Sequence, residues 1–311
     1  MMMYVWLIVG FVLLVKGADF FVDGSSSIAK TLRVPSLIIG LTIVAFGTSC
    51  PEAAVSITAS MAGKNDMAFS NVVGSNIFNL LVVVGASALI HSVYVDKGML
   101  KREFPLSIFV AILILIFALP ILGGDISRVE GILLLIIFAG FVGMMIRSAF
   151  NNRTEAPDEE IKVLPVWQSL IYIVGGIAAI VLGGNVVVDS ATDIALSFGM
   201  TETLVGLTIV ALGTSLPELV TSIVAARKGE SDLALGNAVG SNLFNILFVL
   251  ASAATISPVK VGMESLFDTA FLIVFSIIVL IMVWKDQMVV RWKGEIMILM
   301  YLAYMVYIIM R

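Results

Sequence analysis

The feature that most constrains this chain is a repetition. Residues 40–85 align without a gap with residues 206–251 at a constant offset of 166, and 26 of the 46 positions are identical. Weaker similarity continues upstream, where FFVDGSSSIA at 20–29 meets VVVDSATDIA at 186–195. Self-similarity of this length sets the architecture before single residues are weighed. Each copy carries a glutamate directly after a helix-breaking proline, in GTSCPE at 47–52 and GTSLPE at 213–218, inside an otherwise apolar run. A duplication kept only for packing preserves size and hydrophobicity. Here the polar letters match: Thr42, Thr48, Ser49, Glu52, Asn71, Ser75, Asn76 and Asn79 recur as Thr208, Thr214, Ser215, Glu218, Asn237, Ser241, Asn242 and Asn245.

The surroundings of these polar letters decide what they can do. Apolar residues make up 60% of the chain, charged residues only 13%, and the mean hydropathy is +1.10. Soluble domains carry about a quarter charged residues, so the composition is that of an all-α polytopic membrane protein. Ten apolar windows are long enough to cross a bilayer: 4–30, 37–62, 67–90, 104–122, 129–147, 164–196, 203–226, 233–256, 266–284 and 294–310. Their continuous rather than alternating hydrophobicity argues against a β-barrel. The first window lacks a basic n-region and a small-residue cleavage site, so it is expected to be a span rather than a leader. There is no basic tract for nucleic acid, and the lone Cys50 excludes an intramolecular disulfide and a cysteine-rich metal site.

The polar segment SAFNNRTEAPDEEIKVLP at 148–165 separates five windows from five. The expected organisation is therefore a first five-helix repeat at 1–147, a cytoplasmic linker at 148–164 and a second five-helix repeat at 165–311. An odd number of spans per copy inserts the second copy upside down, a transporter design with the site at the repeat interface near the midplane. Lysine and arginine set the orientation. Loops 1, 3, 5, 7 and 9 hold 13 of them, against 4 in the even loops and termini, with Lys16 inside the first span. Both termini are thus expected outside and the linker in the cytoplasm.

Glu52 and Glu218 fall near the centres of their windows, as do Asn79 and Asn245. An unpaired charge there costs about 2.5–3.5 kcal/mol even on the lenient insertion scale, so both glutamates must face a protein cavity, take protons or hold cations. Thr48, Glu52 and Ser56 are spaced by four, as are Asn71, Ser75 and Asn79, which places each trio on one helix face. Pro51 removes a backbone N–H and crowds the carbonyl of Gly47, so main-chain oxygens near Ala45 to Thr48 are expected to leave the helix and face the same ion. The candidate ligands are all oxygen: two carboxylates, the hydroxyls of Thr48, Ser49, Thr214 and Ser215, the amides of Asn79 and Asn245, and freed carbonyls. Such a set suits Ca²⁺, which takes 6–8 oxygens, or several Na⁺, and disfavours zinc and copper. An empty site leaves two charges uncompensated, which disfavours crossing without cargo.

At these residues the sequence resembles the sodium/calcium exchanger family of the calcium/cation antiporter superfamily. The paired GTS-x-PE and N-x-x-GSN-x-x-N blocks and the ten-span inverted layout carry the resemblance. It implies a prokaryotic member that performs electrogenic Na⁺/Ca²⁺ antiport by alternating access, with no cofactor, as a monomer in the lipid bilayer of the cell membrane. It implies Glu52 and Glu218 as central carboxylates, hydroxyls from Thr48, Ser49, Thr214 and Ser215, carbonyls from Ala45 and Ala211, and Ser75 and Ser241 as flanking sodium ligands. It also implies that the first and sixth spans slide as a gating pair. Some archaeal and potassium-dependent relatives carry aspartate where this chain has Asn245, so one possible charge is absent. Ser70 stands where the second copy has Gly236.

Other readings remain beside this one. Calcium or another cation against protons uses the same fold with titrating glutamates. An intramembrane hydrolase built on a carboxylate pair lacks a nucleophile-and-base triad, so no enzyme is expected, and a channel fits the inverted repeat less well. Lys16 and Asp19 are spaced as a local ion pair; Asp19, Asp23, Asp189 and Asp193 are either interfacial acids or an access funnel for cations. Trp6, Trp167, Trp284 and Trp292 read as interfacial anchors, and Asp158, Glu159 and Glu160 as a solvated linker face.

Overall fold

A computed structural model describes residues 2–63, 65–151, 164–200 and 211–310. The chain is mostly helical, in the order the apolar windows foretell. Among the described residues seven helices are long and apolar enough to cross a membrane: Met2–Leu32, Asp66–Ile90, Arg128–Asn151, Val166–Ser197, Ser231–Ile256, Met263–Trp284 and Arg291–Met310. Ser36–Thr48 and Cys50–Met61 form an eighth as a pair bent by 49°. The bend sits at Ser49, with Pro51 in the first turn of the second segment, where a missing N–H costs nothing within the new helix.

The window expected at 104–122 is shorter than read: its helix runs Glu103–Phe117, 15 residues. Pro120 is the reason, since it drives the preceding Leu119 to extended backbone (φ −64°, ψ 134°). The span expected at 203–226 is described only from residue 211, and its second segment, Leu216–Arg227, again starts with a proline in the first turn. Most of the expected linker, including Asp158, Glu159 and Glu160, lies outside the described residues. Two short antiparallel pairings tie the halves together: Val93–Tyr94 with Met288–Val289, and Asp125–Ile126 with Val259–Lys260.

The two longest helices, Met2–Leu32 and Val166–Ser197, pack against each other along a seam of glycines. A Cβ at Gly176 would sit 2.8 Å from the Gly17 carbonyl and from the Phe21 backbone N. Small residues let backbones approach this closely in lipid, where hydrophobicity itself gives helices no reason to associate. The first helix is further fastened to the end of Leu216–Arg227. Lys228 Nζ donates to Asp23 Oδ1 at 2.7 Å and to the Asp19 carbonyl at 3.0 Å, and lies 3.4 Å from Asp19 Oδ1. The expected Lys16–Asp19 pair is present at 3.8 Å, but the closer partner of these acids comes from the other repeat. Trp6, Trp167, Trp284 and Trp292 are all more than half exposed, as anchors at a lipid surface are.

Gly176 and Gly175 are neighbours with opposite surroundings: a Cβ at Gly175 meets nothing within 4 Å among the described residues. Gly176→Leu is expected to cost about 1–3 kcal/mol by overpacking, and Gly175→Leu nothing measurable. Thermal unfolding of the two purified variants in detergent checks this; equal melting temperatures would remove the close seam.

Candidate ion-binding site

The site grows from the bend. Thr48 and Ser49 end the first segment of the bent helix and Glu52 lies in the first turn of the second. Ser215 and Glu218 hold the same places in the other copy. Glu52, Glu218, Ser49 and Ser215 are 0% exposed. The pairing is crossed: Ser49 Oγ donates to Glu218 Oε1 at 2.8 Å, and Ser215 Oγ to Glu52 Oε1 at 3.1 Å. Each repeat therefore supplies a hydroxyl to the other's carboxylate, and the two acids are held in one place by residues more than 160 positions apart. Ser241 adds a third contact, to Glu218 Oε1 at 3.4 Å.

Around this centre the two copies bond alike. Thr48 Oγ1 donates to Asn237 Oδ1 at 2.9 Å and Thr214 Oγ1 to Asn71 Oδ1 at 3.5 Å. Asn237 and Asn71 each give an amide hydrogen to a serine, Ser222 and Ser56, at 3.0 Å. Asn76 and Asn242 exchange amide-to-backbone bonds of 3.1 Å across the repeat interface. These four asparagines are absent from the expected ligand list. The signal that finds them is their identity in both copies: Asn71 and Asn237 bond the threonines, and Asn76 and Asn242 bond each other's main chain.

Several polar atoms here are buried without a hydrogen-bond partner: Glu52 Oε2, Glu218 Oε2, Ser75 Oγ, Asn245 Oδ1 and both amide atoms of Asn79. Buried polar groups without partners are rare and each requires an explanation. A set dominated by oxygens around two carboxylates is explained by cations. Among the described residues no group of three or more His, Cys, Asp or Glu is placed to hold a metal, so neutral oxygens must complete any coordination shell. Three short π-helical stretches lie beside these residues, Gly40–Val44, Asn79–Val83 and Asn245–Leu250; such turns gather at functional sites and nothing in the residue spacing announced them.

The expectation for main-chain ligands changes in detail. The Ala45 carbonyl is not freed: it accepts the Ser49 N–H at 3.1 Å and the Thr48 hydroxyl at 3.4 Å. Pro51 has no N–H to give the Gly47 carbonyl four residues earlier. Ala211 opens the three-residue helix Ala211–Gly213.

A cavity of about 520 Å³ lined by Cys50, Gly184, Asn185, Asp189, Thr214 and Pro217 reaches a site hydroxyl, with the exposed Asp189 on its wall. The start of the bent helix packs closely on the second copy: a Cβ at Gly236 would lie 2.7 Å from the Leu37 carbonyl and 3.0 Å from Gly40 Cα. That contact explains the glycine. Its counterpart Ser70 is exposed, with its Oγ 3.0 Å from Ser265 Oγ.

A family model described as sodium/calcium exchanger protein matches residues 2–147 and 168–310. The chain is 38% identical to CaxA of Alkalimonas amylolytica over 96% of both chains. It is 34% identical to the sodium/calcium exchanger MaX1 of Methanosarcina acetivorans, again over 96% of both. Among solved structures it superposes on the sodium-calcium exchanger NCX_Mj, soaked with Na⁺ and Ca²⁺, with a TM-score of 0.85, 29% identity and 98% of each chain covered. With motifs, helices and full-length relatives in agreement, this multi-pass membrane protein belongs to the sodium/calcium exchanger family.

Proposed function

We propose that the chain exchanges Na⁺ for Ca²⁺ across the cell membrane by alternating access, moving net charge, through ten spans arranged as two inverted five-helix repeats. The observation that carries the reading is the crossed pairing of Ser49 with Glu218 and Ser215 with Glu52, at zero exposure, with one oxygen of each carboxylate left unpartnered. One Ca²⁺ neutralises two carboxylates; Na⁺ ions on the same oxygens do so by number. Glu52 and Glu218 act as the shared anionic ligands. Thr48, Ser49, Thr214 and Ser215 supply hydroxyls, Asn79 and Asn245 amide oxygens, Ala45 and Ala211 main-chain carbonyls, and Ser75 and Ser241 flanking hydroxyls. A relative named as a sodium/calcium exchanger and a solved exchanger soaked with these ions support the same cargo.

The mechanism follows from cost. Two bare carboxylates in a medium of low dielectric are costly, so the empty protein is slow to reorient, and each crossing requires one cargo or the other. The glycine-seamed pair Met2–Leu32 and Val166–Ser197 lies across the bent helices as a candidate moving unit. With both termini outside and the linker in the cytoplasm, the cavity beside Asp189 opens outward and the Gly40–Gly236 contact closes the cytoplasmic side. More than two Na⁺ per Ca²⁺ moves charge, and each net charge is worth about 2.3 kcal/mol per 100 mV of membrane potential.

Proteoliposomes test the coupling. Calcium uptake is expected to follow an outward sodium gradient and respond to a potassium-set membrane potential; uptake driven by a pH gradient alone would make protons the partner. Glu52→Gln and Glu218→Gln are each expected to lower sodium-driven uptake by about two orders of magnitude, since ligand charge sets affinity for hard cations. Flux surviving both substitutions would remove the site. Orientation has a separate check in the lone cysteine. A membrane-impermeant thiol reagent applied outside is expected to label Cys50 in the outer cavity, and labelling only from the linker side would invert the topology.

A further inference from the structure

Where the two copies meet through Asn76 and Asn242, their hydrogen bonds match except at one place. Asn76 and Asn242 hold corresponding positions, and each donates its amide to the other's main-chain carbonyl at 3.1 Å. Asn76 does one thing more: its Oδ1 accepts from Asn245 Nδ2 at 3.2 Å. The corresponding bond, from Asn79 Nδ2 to Asn242 Oδ1, is not made. Asn79 Nδ2, Asn79 Oδ1 and Asn242 Oδ1 are all buried without a partner.

The difference matters because a primary amide has two unlike ends. Its oxygen attracts a cation and its NH₂ repels one, and a half-turn about the last side-chain bond exchanges them. Asn245 is 0% exposed and stands one helical turn beyond Ser241, whose hydroxyl reaches Glu218. With its NH₂ held by Asn76, its oxygen is the end left unpartnered. Asn79, one turn beyond Ser75, has neither end held.

We propose that Asn76 is a positioning residue for ion exchange: it holds the Asn245 amide with its oxygen toward the cation, while Asn79 is left free to turn, so the two half-sites are unequal. Asn76 does not touch the ion; it selects which end of Asn245 does. The inference rests on the reading of this site as a cation site. A carboxylate at 245 has oxygen at both ends and needs no such selection.

Sodium-driven calcium uptake in proteoliposomes, with the half-saturating Ca²⁺ concentration and the maximal rate measured separately, tests it. Asn76→Ala is expected to raise the half-saturating concentration about tenfold, the scale of one orienting hydrogen bond, and to change the maximal rate little. Asn242→Ala removes the same class of amide-to-backbone bond but no amide-to-amide bond, and is expected to leave the half-saturating concentration within about twofold of the native chain. In an Asn245→Asp background, adding Asn76→Ala is expected to cost nothing further. Equal losses for Asn76→Ala and Asn242→Ala, or the same loss in the Asn245→Asp background, overturn the proposal in favour of a merely structural staple. If the alanine variants fail to assemble, Asn76→Ser and Asn242→Ser carry the same comparison. A native chain without sodium-driven flux defeats the functional reading instead; Ca²⁺ binding to the detergent-purified proteins by calorimetry then still decides the role of Asn76.

Discussion

Everything in this molecule is arranged around two carboxylates removed from water. Glu52 and Glu218 have no exposure, and a lone charge at that depth is costly even by the most permissive scale. The chain meets that cost by reciprocity. Each acid takes a hydroxyl bond from the opposite repeat, so neither half-site exists without the other. The proline bends place an acid and its neighbouring hydroxyls at the break between two helical segments, where backbone no longer consumes every polar group. What remains unpartnered is chiefly carboxylate, hydroxyl and amide oxygen, and cations are the ligands that chemistry suits.

The two copies share a sequence pattern but not a conformation. Asn237 is fully buried against Thr48 and Glu218, whereas Asn71 is half-buried and its contact to Thr214 is longer. Gly236 lies against Gly40, whereas Ser70 is exposed. Lys228 grips Asp19 and Asp23 at one end of the first helix; the residue in its place in the first copy is Ala62, which has no charge to offer Asp189. Two halves of like sequence thus take unlike arrangements where their packing partners differ.

Much of this was legible in the residues. The apolar windows located the helices, and the offset of 166 paired Ser49 with Ser215 and Glu52 with Glu218, which the structure brings together in crossed contacts. Three things escaped. The fourth helix ends at Phe117 because the conformational demand of Pro120 outweighs an apolar run that continues past it. The Ala45 carbonyl stays bonded because the break falls at Ser49, whose own N–H still reaches it. Asp19 and Asp23 find their main partner, Lys228, some 200 residues away, and no local spacing rule reaches that far.

The amino-acid order alone determined the membrane class, the duplication, the paired acids and the oxygen-only character of the site, since these follow from composition, periodicity and the cost of charge in lipid. Only the tertiary structure decided which hydroxyl meets which carboxylate and which asparagine amide is bonded. Those are differences between two similar copies. Identical letters take unlike partners only through the way the helices are stacked, and that choice belongs to the packing of the whole chain.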